Sequence, residues 1–192
     1  MVAQPAFMKT LLCLACSLMV SLFTSAQLKT IYLFRHAEKE VVLSGDPNMM
    51  TSDPGLSEQG KKTAERMGKV VAGDRIAIFT TPYKRTASTA AIIATESTLK
   101  NLSGEKAQDE ETGSANVSTE VYDPGKPQEL VEKLLSGISS VIVVVGHSNT
   151  IPALANFFIK ENKYKEWPEN VYNQYFIITI KDGIAEAKLL NF

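Results

Sequence analysis

The chain has 192 residues, a formal net charge of −1, 44% hydrophobic and 21% charged residues. That length supports one domain with a sizeable core. The near-zero charge lacks the basic footprint of a nucleic-acid binder or a polybasic membrane-surface protein.

The N-terminus is compositionally distinct. Lys9 precedes an apolar run, "TLLCLACSLMVSLF", which ends in "TSAQ". A positive flank, a short apolar core and small residues at the end make a signal peptide. Cleavage is expected after Ala26, with Met8 as an alternative start, leaving 27–192 as one domain. The run is short of the ~20 residues of a membrane span, so the mature chain is expected to hold no stable span. Both cysteines, Cys13 and Cys16, lie in this stretch. Its removal therefore leaves no disulfide, thiolate metal site or cysteine nucleophile. Removing residues 1–26 takes one lysine and no acid, which moves the formal charge from −1 to −2. Export without disulfides suits a bacterial periplasmic or secreted protein.

Thr30 to Phe34 reads as a first, buried strand. Residues 41–55, rich in Gly, Pro, Asp and Asn, read as a loop. Ser57 is placed as the N-cap of a helix over "EQGKKTAERMGKVVA", with Ala64, Met67, Val70 and Val71 on one side. Arg75 to Thr81 is a second strand, stopped by Pro82, and "KRTASTAAIIATES" is a helix. The polar stretch 97–116 reads as an exposed loop of unusual length. "VSTEVY" is a short strand and Gln128 to Leu135 a helix. "SSVIVVVGHS" is a fully buried strand by its β-branched density. "TIPALANFFI" is a helix with Pro152 in its first turn. "YFIITI", Asp182-Gly183 and "IAEAKLLNF" form a terminal hairpin. This alternation predicts an α/β chain, a three-layer α/β/α sandwich with a mostly parallel sheet and an antiparallel edge.

In open α/β sheets, sites form outside the carboxyl ends of strands. The first strand ends in Arg35-His36, the second in Thr81-Pro82 with Arg85 beyond, and the most buried one in Gly146-His147-Ser148. The chain has only two histidines, and both fall at such ends. Two arginines beside them oppose a metal cation and favour an anion, since guanidinium forks match phosphate oxygens. The expected site is a phosphoryl pocket containing imidazoles, with no metal and no cofactor.

The blocks "LFRHAEK", "DPGLSEQG", "TPYKRTASTA" and "VVVGHSNTIPAL", in this order, resemble the histidine phosphatase superfamily, the phosphoglycerate mutase-like family. The similarity runs along essentially all of the expected mature chain. The lack of a large inserted cap domain resembles the first branch of that family. The resemblance implies a metal-independent phosphatase acting on a phosphorylated small molecule or a phosphoprotein. It makes His36 the nucleophile, Arg35 and Arg85 the phosphoryl grips, and His147 the second pocket histidine. Covalent catalysis through a phosphohistidine fits, provided that His36 is neutral with one nitrogen free. Thr81 and Ser148 are expected beside the phosphate or next to His147. For the general acid three residues stay open: Asp123 just past the third strand, Glu120 before it, and Glu38 in the nucleophile loop. A phosphoglycerate-mutase-type phosphotransferase and a non-catalytic phospho-ligand binder are the rival readings. The substrate and the oligomeric state are not legible.

Overall fold

The computed structural model describes residues 28–41, 53–73, 75–103 and 116–192. The proposed signal peptide, most of the 41–55 loop and residues 104–115 lie outside the described residues.

The strands form where β-branched and aromatic residues cluster, and their alternate side chains feed two cores. Strand β1 is Lys29–Arg35, β2 Arg75–Thr80, β3 Asn116–Val121, β4 Val141–Gly146, β5 Gln174–Lys181 and β6 Ile184–Asn191. They make one sheet in the order β3-β2-β4-β1-β5-β6. β1, β2, β3 and β4 are mutually parallel, and β5 and β6 add antiparallel to one side. The expected antiparallel edge is thus two strands wide. Its hairpin turns at Asp182 and Gly183, with φ of 53° and 77°, the left-handed pair that a two-residue hairpin turn requires.

Four helices flank the sheet among the described residues: α1 Glu58–Val70, α2 Lys84–Ser103, α3 Pro127–Ser136 and α4 Thr150–Ile159. Ile31, Leu33, Ile142 and Val144 face one core with Leu130 and Leu134 of α3 and Ile151, Leu154 and Phe158 of α4. Tyr32, Phe34, Val143 and Val145 face the other with Ala64 and Met67 of α1 and Ala90 and Ile93 of α2. Both faces of the sheet are therefore covered, which is why β4 is apolar at every position. None of the described helices is long and apolar enough to cross a membrane.

Helix α2 corrects the expected start of a loop at residue 97, since it runs on to Ser103. Contact with α1 carries it there: Ser97 is buried and its hydroxyl lies 3.5 Å from the Gly68 carbonyl. Lys100 Nζ then donates to the carbonyls of Lys69 (3.0 Å) and Val71 (3.2 Å) at the C-terminal end of α1. The polarity of the segment marks an exposed helical face, and local composition does not distinguish that from a loop.

Two local devices hold β1. Lys29 is buried, and its Nζ donates to the carbonyls of Leu134 (3.0 Å), Leu135 (2.6 Å) and Gly137 (2.5 Å) at the C-terminal end of α3. Past the other end of β1, Ser57 caps α1 by accepting from Gly60 N at 3.0 Å. Ser57 N also donates to Glu38 O at 3.0 Å. A Cβ on Gly60 would collide with the Glu38 carbonyl, so the glycine in "SEQG" permits α1 to press on the loop after His36. Gly60→Ala is expected to lower stability by about 1–3 kcal/mol, the range of an overpacked contact. Chemical denaturation checks it, and an unchanged midpoint would show that the Glu38 loop yields freely.

Candidate active site

Sheet register builds the site. Arg35 of β1 lies opposite Gly146 of β4, and Thr80 of β2 lies opposite Val145. One residue further on, three neighbouring strands present His36, His147 and Thr81 side by side. The two imidazole centroids are 5.5 Å apart. His36 is buried, and its backbone N–H donates to Gly146 O at 2.9 Å, which continues the ladder past the strand end.

The protonation of each ring follows from its partners. His36 Nδ1 lies 2.8 Å from Ala37 O. A carbonyl only accepts, so Nδ1 carries the proton and Nε2 keeps its lone pair. Thr86 Oγ lies 2.8 Å from Tyr83 O and 3.0 Å from Thr81 O. Its single hydrogen satisfies one of these carbonyls, so it accepts from the Thr81 hydroxyl at 2.7 Å. Thr81 in turn accepts from His147 Nε2 at 3.1 Å. The chain of donors thus puts the neutral His147 proton on Nε2 and leaves Nδ1 as its uncommitted nitrogen. Burial pushes His36 down to about 3, with Arg35 and Arg85 adding to the shift against the Ala37 hydrogen bond. Burial, Arg85 and Arg35 likewise push His147 down to about 4, opposed by Asp53. Both rings are neutral near pH 7.

The two arginines are built alike. Arg35 is 1% exposed. Its Nη1 donates to the carbonyls of Pro168 (2.9 Å) and Val171 (2.8 Å), and its Nη2 lies 3.3 Å from Glu169 Oε2. Its Cζ lies 4.2 Å from the Tyr172 ring centroid. Its Nε is buried with no acceptor among the described residues. Arg85, in the first turn of α2, has its Cζ 4.7 Å from the Tyr83 centroid and its Nη1 3.4 Å from Asp53 Oδ1. Each guanidinium therefore has a tyrosine face beneath it and a carboxylate beside it. The Tyr83 ring also meets His147 edge-on, with centroids 5.1 Å apart.

A cavity of about 360 Å³ opens beside this group, lined by Tyr83, Arg85, Pro124, Gly125, His147, Asn149 and Thr150. No carboxylate lines it among the described residues. The Asp123 carboxylate accepts from Gly125 N at 2.8 Å within its own turn. Glu120 pairs with Lys133 on the outer side of the β3–α3 corner. Glu38 Oε1 accepts from Thr63 Oγ of α1 at 3.1 Å. Ser148 is buried with its hydroxyl 3.4 Å from Glu166, and Ser148 O accepts from Trp167 N at 3.0 Å. Its side chain thus meets the segment after α4. Asn149 stands at the N-cap position of α4 without a side-chain cap bond, and Thr150 Oγ accepts from His147 N at 2.9 Å.

Several members of the site escape sequence reasoning. Thr86 and Thr89 lie within "TPYKRTASTA", where hydroxyls on consecutive turns of a helix give a weak signal. Thr89 Oγ accepts from Ala37 N at 3.1 Å and donates to Arg85 O at 2.7 Å, which ties the loop after His36 to α2. Asp53 was legible only as part of the "DPGLSEQG" block. Nothing in the polar stretch around Glu169 and Tyr172 marks it as a partner of Arg35.

Residues 31–111 match the family model described as "Histidine phosphatase superfamily (branch 1)". No curated protein matches the sequence. Among solved structures, the chain is similar to the protein histidine phosphatase SixA complexed with tungstate: TM-score 0.56 and 14% identity, over 84% of this chain and 96% of that one. It is similar to phosphoglycerate mutase from Bacillus anthracis str. Sterne, with TM-score 0.55 and 15% identity over 87% of this chain and 94% of that one. It is also similar to the alpha-ribazole phosphatase from Shigella flexneri, with TM-score 0.53 and 13% identity over 85% of this chain and 96% of that one. At these identities the likeness is one of fold.

The two histidines give the fold a definite pH response. Unfolded, both rings protonate near 6.5; folded, they protonate near 3 and 4. The unfolded state therefore binds more protons in that window, and stability is lost as pH falls from 6.5 towards 3. Above 6.5 these two groups add no pH dependence. Ring-nitrogen NMR shifts are expected to stay flat from about pH 8 to 5. Thermal melts of His147→Asn should show a shallower acid slope than wild type. A ring that titrates near its ordinary value would contradict the burial argument.

Proposed function

We propose, on the premise of the histidine phosphatase superfamily match over residues 31–111, that this chain is a phosphatase working through a phosphohistidine on His36. The observation that carries this reading is the His36 ring, with Nδ1–H committed to Ala37 O at 2.8 Å and Nε2 unprotonated, beside Arg35, Arg85 and His147. A neutral nucleophile between two cations suits attack on a dianionic phosphoryl group.

In the first step Nε2 of His36 attacks phosphorus in line. The N–P bond forms, the bond from phosphorus to the leaving group breaks, and the leaving group departs with its electron pair. Arg35 and Arg85 take the charge of the equatorial oxygens, and the buried Nε of Arg35 supplies a donor suited to one of them. The incoming dianion offsets the guanidinium charge that adds to burial in keeping His147 neutral. His147 can then take a proton from solvent on Nδ1 and keep it as a hydrogen-bond donor to the phosphoryl group. In the second step water attacks the phosphohistidine, the N–P bond breaks, and inorganic phosphate leaves neutral His36 behind. The two guanidiniums oppose a divalent cation here, so charge compensation is assigned to them and not to a metal.

The chemistry of the cavity favours a phosphoramidate over an alkyl phosphate. An alkoxide needs a proton donor as it leaves, and no described carboxylate lines the cavity. A phosphoimidazole protonated on its ring from solvent leaves as neutral imidazole and needs less help. Residues 8–26 support placing the enzyme outside the cytoplasm.

A panel of phosphohistidine, aryl phosphate and alkyl phosphate tests the reading. His36→Ala is expected to lose about a thousandfold or more in kcat/KM, and mass spectrometry should find the acid-labile phosphate on His36. Turnover without a phosphorylated His36 would overturn the mechanism. Phosphohistidine should be the fastest of the three by kcat/KM, and Asp123→Asn and Glu38→Gln should leave its rate within about threefold. Fast alkyl phosphate hydrolysis that Asp123→Asn alone abolishes would identify Asp123 as a general acid and reject the phosphoramidate preference.

A further inference from the structure

Asp53 does something at this site that neither charge balance nor helix capping alone explains. Its carboxylate accepts from the backbone N–H of Lys84 with both oxygens, at 3.0 and 2.9 Å. The same Oδ1 lies 3.4 Å from Nη1 of Arg85. One side chain, 31 residues upstream, thus clamps both the first amide of α2 and the side chain of the next residue. The Asp53 carboxylate is 28% exposed and the Arg85 side chain 17%, so water only partly screens the pair. Its charge also reaches the second histidine, where it opposes the two arginines.

The geometry fixes Arg85 from two directions. Tyr83 bounds one face of the guanidinium and Asp53 holds the Nη1 corner. A planar fork fixed at one corner and against one face keeps a single orientation, which leaves the remaining N–H groups for the cavity that Arg85 and His147 both line. The same construction recurs at Arg35, where Tyr172 supplies the face and Glu169 a carboxylate. There, however, two backbone carbonyls share the task, and Glu169 is largely exposed. At Arg85 the carboxylate carries it alone among the described residues. Lys84 N has no intrahelical partner at the start of α2, so Asp53 also anchors the backbone from which Arg85 projects.

We propose that Asp53 is the positioning residue of the phosphoryl pocket, holding the Arg85 guanidinium in the orientation that accepts a phosphoryl oxygen. This rests on the phosphatase reading above. Asn at this position can still accept from Lys84 N through its amide oxygen, which separates the cap from the clamp. Asp53→Asn makes the side chain neutral, so it removes the charge of the ion pair with Arg85 while an amide oxygen still caps Lys84 N.

The test is a double-mutant cycle read by inorganic phosphate binding in calorimetry, which needs no turnover. Asp53→Asn is expected to weaken phosphate about tenfold, with an unchanged thermal midpoint. Arg85→Ala should weaken it by more. In the Arg85→Ala background Asp53→Asn should add less than about twofold, since the group that it positions is gone. Asp53→Glu, with its acid one methylene further out, should restore part of the loss. Additive losses would overturn the proposal and reduce Asp53 to a helix cap, as would an Asp53→Asn protein that binds phosphate like wild type. A wild type that binds no phosphate would overturn the phosphatase reading itself and this inference with it. That result is distinct from a wild type that binds and an Asp53 variant that does not differ.

Discussion

Strand β1 pairs in parallel with β4 so that Arg35 meets Gly146, and the chemistry of the protein hangs on that register. Side chains alternate faces along a strand, so a slip of one residue would turn Arg35 into the α1–α2 core and His36 away from His147. The register is over-determined by packing. Ile31 and Leu33 belong to one core and Tyr32 and Phe34 to the other, all fully or nearly buried. The strand ends therefore place His36 and His147 without a loop of their own, while loop residues hold the two arginines. The histidine pair inherits its geometry from the same apolar alternation that holds the sheet together.

Burial then sets the charge state. Neither imidazole pays the cost of ionisation inside the sheet edge, while the Arg35 guanidinium is held by two carbonyls, a carboxylate and an aromatic face and that of Arg85 by a carboxylate and an aromatic face. The result is a positive pocket around two neutral imidazoles. A site built for a divalent metal would invert that arrangement, with neutral or anionic ligands around the cation.

The elements that were legible in the sequence are those whose signal is local. Strands β1, β2 and β4 announce themselves by β-branched density, α4 and the terminal hairpin by periodicity and by Asp182-Gly183, and His36 and His147 by their rarity and their place at strand ends. The far end of α2 was not legible, because its stability comes from α1 and from Lys100 reaching across to Lys69 and Val71. The partners of Arg35 were not legible either. Pro168, Glu169, Val171 and Tyr172 lie more than 130 residues away along the chain, in a stretch whose composition signals only a loop. Thr86 and Thr89 sat in plain view within a recognised block, but a threonine's role depends on which carbonyl its single hydrogen finds, and only three-dimensional neighbours decide that.

Strand β1 also carries a buried cation at each end. Lys29 is tied to carbonyls at the end of α3, and Arg35 to carbonyls beyond α4. At about 3.3 Å per residue the two anchors stand roughly 20 Å apart, and the strand between them is apolar apart from Thr30. Sliding β1 along its neighbours by the two residues that would preserve its facing pattern shifts it by about 7 Å. Both cations would then leave the carbonyls that hold them. The strand behaves as a rod pinned at both ends, and His36 sits one residue outside the second pin. Change in such a fold is thereby steered towards the loops and the cavity rim, since any substitution that moves His36 along the strand axis must first unpin the sheet.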